Sequence, residues 1–164
     1  MKLNTYEIDP KSYEHLIALG EHLASGSLDA GLRALVETRA SQINGCAFCL
    51  AMHADEARRA GVPQFKLDTV AGWRDTDAFH PAERAALALT EAMTRVADVS
   101  HVDDAVWNDA RDAFDDATLT TLVMAIALIN TWNRLNIATG RTAEDYEAYA
   151  RRTARIAERA ANGS

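Results

Sequence analysis

The stretch Ser41-Gln42-Ile43-Asn44-Gly45-Cys46-Ala47-Phe48-Cys49-Leu50-Ala51-Met52-His53 holds both cysteines of the chain, with a histidine four residues after the second. Asn44-Gly45 reads as a break between two helices. On the second helix, at about 100° per residue, Cys46 and Cys49 stand about one turn apart on one face, and His53 falls within roughly 40° of both. This places Cys46 in the first turn, where unpaired N–H groups and the macrodipole favour a thiolate. Helical side chains lean toward the N-terminus, so His53 points back at Cys49, while Cys46 lies about 10 Å further along the axis. The two thiols are thus activated differently, Cys46 by the helix end and Cys49 by the imidazole.

Working outward, Leu28, Leu32, Leu35, Val36 and Ile43 mark a helix that delivers the chain to the break. The cysteine helix runs on to about Ala60, where Gly61-Val62-Pro63 ends it. Upstream, Tyr13, Leu16, Ile17, Leu19 and Leu23 give a first helix over 12–24, stopped by Ser25-Gly26-Ser27. Downstream, a short helix is expected over Phe65 to Trp73, then a loop at Arg74-Asp75-Thr76-Asp77. His80-Pro81 opens an Ala- and Leu-rich helix to about Ala97. A short helix follows Ser100-His101-Val102-Asp103, carrying Val106, Trp107, Ala110 and Phe114. The most apolar run, Leu119 to Ile129, predicts a central helix buried nearly all round and closed by Ala138-Thr139-Gly140. Thr142-Ala143-Glu144-Asp145 resembles a capping start for a last charged helix over about 143–160, expected to fray at Asn162-Gly163-Ser164. Strand alternation is absent, so the expected fold is all-α: one domain over 1–164, seven or eight helices, core over about 12–140.

The chain has 164 residues, 48% hydrophobic and 25% charged, which suits one well-buried core. A net charge of -7 without a basic patch argues against nucleic acid or an anionic membrane as partner. No stretch looks like a signal peptide or a membrane span, which makes cytoplasm the expected location. In that reducing compartment, two cysteines three apart point to catalysis or metal binding rather than a structural staple. As a metal site, Cys46, Cys49 and His53 supply three ligands with no fourth, and one straight helix arranges them poorly around an ion, so no metal or other cofactor is expected. Two small buried hydrophobes is the bland alternative. Trp107 and Trp132 are expected to be buried as core or subunit-contact anchors, and Arg134 to pair with a carboxylate.

The run Arg39-Ala40-Ser41-Gln42-Ile43-Asn44-Gly45-Cys46-Ala47-Phe48-Cys49 with Met52-His53 resembles the carboxymuconolactone decarboxylase superfamily, in its alkylhydroperoxidase D-like branch. The resemblance continues through Glu83-Arg84-Ala85-Ala86-Leu87, His101-Val102 and Ile129-Asn130-Thr131-Trp132-Asn133-Arg134, covering roughly residues 15 to 140. It implies a helical fold assembled as trimers or hexamers, and a metal-free thiol peroxidase reaction. The second cysteine would attack the hydroperoxide and the first would resolve the sulfenic acid as a disulfide. A dithiol reductant protein, lipoyl-bearing or thioredoxin-like, would reopen it. The position of His53 agrees with attack by Cys49, whereas thioredoxin logic favours Cys46; Cys49 is taken as the attacking residue. The best-known members carry a glutamate twelve residues before the first cysteine, and here that residue is Ala34. The acid behind His53 is therefore sought among Glu37, Glu83 and Glu91, with Glu83 preferred because it lies in a stretch that shares the resemblance. Two other readings stay open: a redox or disulfide-handling helical module without peroxidase turnover, and a decarboxylase-like enzyme with no redox chemistry, which has only the fold behind it.

Overall fold

A computed structural model describes residues 2–162. The expected frayed end at Gly163-Ser164 lies outside the described residues. The chain forms α1 (Thr5–Ile8), α2 (Pro10–Ala24), α3 (Ala30–Asn44), α4 (Ala47–Arg59) and α5 (Gln64–Thr69), and then a 3₁₀ segment (Val70–Asp75). It continues through α6 (Pro81–Thr94), α7 (Val96–Val99), α8 (Asp104–Ala113), α9 (Asp116–Thr139) and α10 (Ala143–Asn162). The all-α expectation holds: among the described residues there is no strand, and eight of the ten α-helices are longer than a single turn of four residues.

Local sequence explains where the helices begin and end. Asp29 accepts the Leu32 N–H at 2.9 Å and Asp115 accepts that of Thr118 at 2.7 Å, each side chain satisfying one of the orphan donors of a helix start. Gly45 closes α3 at φ 74° and Gly140 closes α9 at φ 72°. A side chain at either position would cost roughly 1–2 kcal/mol in that left-handed conformation. Both turns shape the cysteine region, because one launches the cysteine helix and the other folds α10 back onto it.

The packing differs from expectation on which helix is central. α3 packs against α4, α6, α9 and the 3₁₀ segment, and it is buried over Gly31-Leu32, Ala34 to Thr38 and Ala40-Ser41. Its small residues let four neighbours approach closely. By contrast α9, expected to be buried nearly all round, shows solvent a stripe of Thr120, Met124, Ala127, Thr131 and Arg134. Trp132 is half-buried, its ring 5.7 Å from that of Tyr13, but Trp107 is 39% exposed on α8 in the single chain and is not a core anchor. Arg134 donates to the backbone and side-chain oxygens of Asn130, at 2.9 and 3.1 Å, and not to a carboxylate.

Among the described residues the core has three parts. The largest joins α2, α3, α6, α8 and α9 through Leu32, Val36, Leu89, Leu122 and Ile126. A second lies under α5 and the 3₁₀ segment, around Leu35, Val70, Trp73 and Leu87. The third holds both sulfurs: Cys46 and Cys49 sit with Ala40, Phe48, Ile129 and Tyr146, drawn from α3, α4, α9 and α10. None of the described helices is long and apolar enough to cross a membrane.

Candidate active site

Cys46 does not sit in the first turn of α4. It is the residue before it, in an extended conformation at φ −87° and ψ 96°, and its Sγ accepts the Cys49 N–H at 3.4 Å. Sulfur here does the job of a capping oxygen, at the positive end of the helix dipole. The Cys46 thiol is held down to about 7, chiefly by the Cys49 thiol beside it, with the backbone N–H groups of Cys49 and Phe48 and the Asn133 amide adding to this against burial. Cys49 moves the other way. Its own hydrogen bond to Cys46, then burial, then the Cys46 charge hold its proton on well above the ordinary thiol range. The two thiols are thus pushed in opposite directions, Cys46 toward its thiolate and Cys49 toward its protonated form. Cys49 Sγ in turn accepts the Asn136 amide at 3.3 Å.

His53 is 6% exposed, and its Nδ1 lies 2.8 Å from Glu56 Oε2 and 3.1 Å from Glu37 Oε2. Burial alone would depress its pKa, but the charge of Glu37, followed by the hydrogen bond and charge of Glu56, carries it up to about 10; Glu37 Oε2 contributes as a charge, with no hydrogen bond among the described residues. Glu56 is correspondingly lowered: burial pushes it up, and the His53 hydrogen bond and charge outweigh that. At neutral pH the ring is an imidazolium, a proton donor rather than a base. Its other nitrogen, Nε2, is buried with no hydrogen-bond partner among the described residues, so His53 makes no hydrogen bond to Cys49.

Three of the expected site residues, Cys46, Cys49 and His53, thus lie on α4 and its cap, with both sulfurs in one cluster. Glu83 is not with them. Its carboxylate holds Lys66 Nζ at 2.6 and 2.7 Å and accepts the His80 N–H at 2.7 Å, so it fastens the start of α6 to α5. The rival Glu91 is taken by Arg39, Arg74 and Trp73 at 2.6–3.1 Å, tying α6 to α3 and the 3₁₀ segment. Of the three candidates weighed from sequence, Glu37 is the one that reaches His53, and Ala34, one turn earlier, is sealed in the second core. Glu56 was missed, although its i,i+3 spacing from His53 on one helix was the available signal.

A line of amides was also missed. Asn44 Nδ2 donates to Asn130 Oδ1 at 2.9 Å and to Asn133 Oδ1 at 2.8 Å. Asn133 Nδ2 donates to Ser41 Oγ at 3.0 Å, and Ser41 passes its own proton to Glu37 O at 2.8 Å. Asn130, Asn133 and Asn136 recur every three residues on the inner side of α9, a polar run inside an apolar helix.

Glu37, His53 and Glu56 form the one group among the described residues with metal-ligating atoms clustered, within 4.8 Å of one another. A proton on the ring accounts for the same convergence of two carboxylates. The sulfurs do not join that group, so the Cys46, Cys49 and His53 ligand set considered from sequence is not assembled.

Both sulfurs are covered, Cys46 at 1% and Cys49 at 0% exposure. α10 lies along α4 on this side. The Tyr146 ring meets Phe48 edge-on at 5.8 Å, its hydroxyl donates to Asp55 at 2.7 Å, and Arg59 reaches that hydroxyl at 3.3 Å. The Arg141 guanidinium stacks 4.5 Å over Phe48. Two surface grooves, one beside Trp73 and Asp109 and one beside Trp107 and Met124, leave the sulfurs untouched.

Comparison with known proteins places this arrangement. Residues 10–92 match the carboxymuconolactone decarboxylase family. The uncharacterized protein YdfG of Bacillus subtilis strain 168 is 33% identical over 142 residues, covering 87% of this chain and 96% of its own. The crystal structure of ATU0492 from Agrobacterium tumefaciens, a protein of unknown function proposed to be the antioxidant defence protein AhpD, superposes with a TM-score of 0.82 at 30% identity, over 86% of this chain and 96% of that one. The debrominase Bmp8, solved with 2,3,4-tribromopyrrole, shares the fold alone, with a TM-score of 0.71 at 19% identity over 83% and 72% of the two chains.

Proposed function

Because the chain belongs to the carboxymuconolactone decarboxylase family and has the fold of its AhpD-like branch, we propose that it is a thiol-dependent hydroperoxidase working through Cys46, Cys49 and His53. The supporting observation is the placement of the pair: Cys46 caps the start of α4 with its sulfur on the Cys49 N–H, where the helix end favours a thiolate, and Cys49 lies one turn in. That placement moves the attack from Cys49, the sulfur favoured by sequence, to Cys46.

In the reaction, the Cys46 thiolate attacks the terminal oxygen of a hydroperoxide, the O–O bond breaks, and the alkoxide takes a proton to leave as alcohol. The imidazolium of His53, with Nε2–H uncommitted, is the donor suited to that step. Cys46 sulfenic acid then loses its oxygen as water when the Cys49 sulfur attacks, and the disulfide forms. A dithiol protein, lipoyl-bearing or thioredoxin-like, supplies two electrons and two protons to restore the pair. Since both sulfurs are covered, entry of either reactant requires displacement of the groups over them, with α10 the nearest such element. Assembly as a homo-oligomer belongs to the same reading.

The test compares Cys46→Ser and Cys49→Ser with the parent in hydroperoxide consumption driven by a dithiol. Both variants should lose turnover, and only Cys49→Ser should retain a sulfenic acid that dimedone traps on Cys46. Consumption at the parent rate in Cys46→Ser removes that residue from the mechanism.

A further inference from the structure

Asn136 has no part in the proposed chemistry so far, yet it is 3% exposed and its amide is the hydrogen-bond donor on Cys49 Sγ from outside the cysteine pair, at 3.3 Å. We propose that Asn136 is a catalytic donor for the reductive half of the cycle: it takes the negative charge that arrives on Cys49 when the disulfide is opened. The inference rests on the Cys46–Cys49 disulfide of the reading above and deepens it.

Both sulfurs are covered, so burial does not choose between them. Cys46 lies ahead of the helix at its positive end, which draws an incoming thiolate, while Cys49 sits one turn in against Asn136. In the proposed step the dithiol attacks Cys46 Sγ. The new S–S bond joins the donor to Cys46, the old bond breaks, and its electron pair goes to Cys49 Sγ. The donor's second thiol then attacks its own sulfur in the mixed disulfide, releasing Cys46 as thiolate. One donor dithiol becomes a disulfide, and its two protons cover the proton left on Cys49 and the one released to solvent.

The difficult species in this sequence is the Cys49 thiolate, a charge formed where no solvent reaches it. Burial and the neighbouring Cys46 both oppose it, and the amides of Asn136 and Asn133 are what favour it. An amide donor already in place at a developing anion stabilises it without reorganisation at the moment of reaction.

The orientation of the Asn133 amide is fixed elsewhere. Asn44 gives both of its amide hydrogens to Asn130 Oδ1 and Asn133 Oδ1. With its oxygen committed in this way, Asn133 must turn its NH₂ toward Ser41 and the sulfurs. Asn133 and Asn44 are thus positioning residues, and Asn136, one turn further along α9, touches the reacting atom.

The experiment avoids peroxide, so that its outcome is separate from peroxidase turnover. Parent, Asn136→Leu and Asn136→Asp are oxidised to the disulfide with diamide, and reopening by excess dithiothreitol is followed by quenched alkylation and mass measurement, with circular dichroism as the check on folding. Leucine keeps the volume and removes the donor, so reopening should slow by about tenfold, as when one hydrogen bond to a charged group is lost. Aspartate keeps the size and faces the developing charge with another, so it should slow reopening at least as much. A merely structural role predicts the opposite sign, because loosened packing would admit dithiothreitol faster. Reopening of the leucine variant within twofold of the parent overturns the inference, as does a parent-like aspartate variant should the leucine protein fail to fold. If diamide forms no disulfide in the parent, the hydroperoxidase reading falls together with this one.

Discussion

Replacing Glu37 with glutamine removes a charge 3.1 Å from His53 Nδ1 and keeps the shape of the side chain. At that separation two unit charges interact by about 5 kcal/mol in an effective dielectric of about 20, which corresponds to about four pH units in the titration midpoint. His53, at about 10 in the parent, should therefore titrate near 6 in the variant. Burial still opposes its charge, and what remains is Glu56, whose side chain is 38% exposed and screened accordingly. The assay is NMR titration of the imidazole Cε1–H in both proteins. The stability consequence has a definite sign. In the parent the folded value lies above the ordinary 6.5, so the stabilisation from His53 is complete below pH 6.5 and is lost as pH rises toward 10. In the variant the two values nearly coincide and that loss disappears, so the stability gap between the proteins should narrow steadily from pH 7 to pH 10. Turnover should follow the ring, with the variant losing its proton donor above about pH 6 while the parent keeps it. A glutamine variant whose His53 is still protonated at pH 8.5 would refute the assignment of Glu37 as the main partner.

Two further outcomes follow from the same contacts. Glu83→Gln should leave hydroperoxide turnover and the His53 titration unchanged and cost about 1 kcal/mol of stability through the lost cap and the part-buried Lys66 pair, read as a fall of about 2–4 °C in Tm; a His53 titration that moves in this variant would restore Glu83 as the relay acid. Tyr146→Phe removes the hydroxyl that ties α10 to Asp55 and Arg59, and one net hydrogen bond of about 1 kcal/mol corresponds to about fivefold faster reaction of the thiols with a disulfide reagent; an unchanged rate would show that another element covers the sulfurs.

How much of this was legible in the sequence depended on whether the signal was local. The two helices flanking Asn44-Gly45 could be read because a glycine stop and a cap act over three or four residues. The conformation of Cys46 could not. A helical wheel treats it as a member of α4, but at ψ 96° it stands outside the helix, and its sulfur turns back onto the Cys49 N–H. The acid behind His53 is a tertiary relation, fixed by which face of α3 meets α4, and nothing in the spacing of Glu37 from the cysteines reports that face. On α9 the polar stripe is interrupted by Met124 and Ala127, which hides a solvent face inside an apolar run. The buried Asn130, Asn133 and Asn136 broke the same pattern at a period of three, and polar residues that violate an apolar helix in register are where sequence reasoning should look for chemistry.

The charges around the site form one system. Cys46 is as sealed as Cys49, and burial by itself would raise both thiols. Cys46 is relieved because its sulfur caps α4 and accepts the Cys49 N–H, whereas Cys49 has burial and the Cys46 sulfur against its charge and the Asn136 amide for it. Each thiol opposes ionisation of the other once one is charged, so a second proton is hard to remove. A base beside Cys49 would have little to work on at neutral pH, which fits a histidine held as an imidazolium by two carboxylates from different helices. Its Nε2 has no hydrogen-bond partner among the described residues, and in the proposed cycle the departing alkoxide needs a proton. On that reading the ring serves the leaving group of the first half-reaction, and Glu37, which favours the charged imidazole, is the residue on which that service turns.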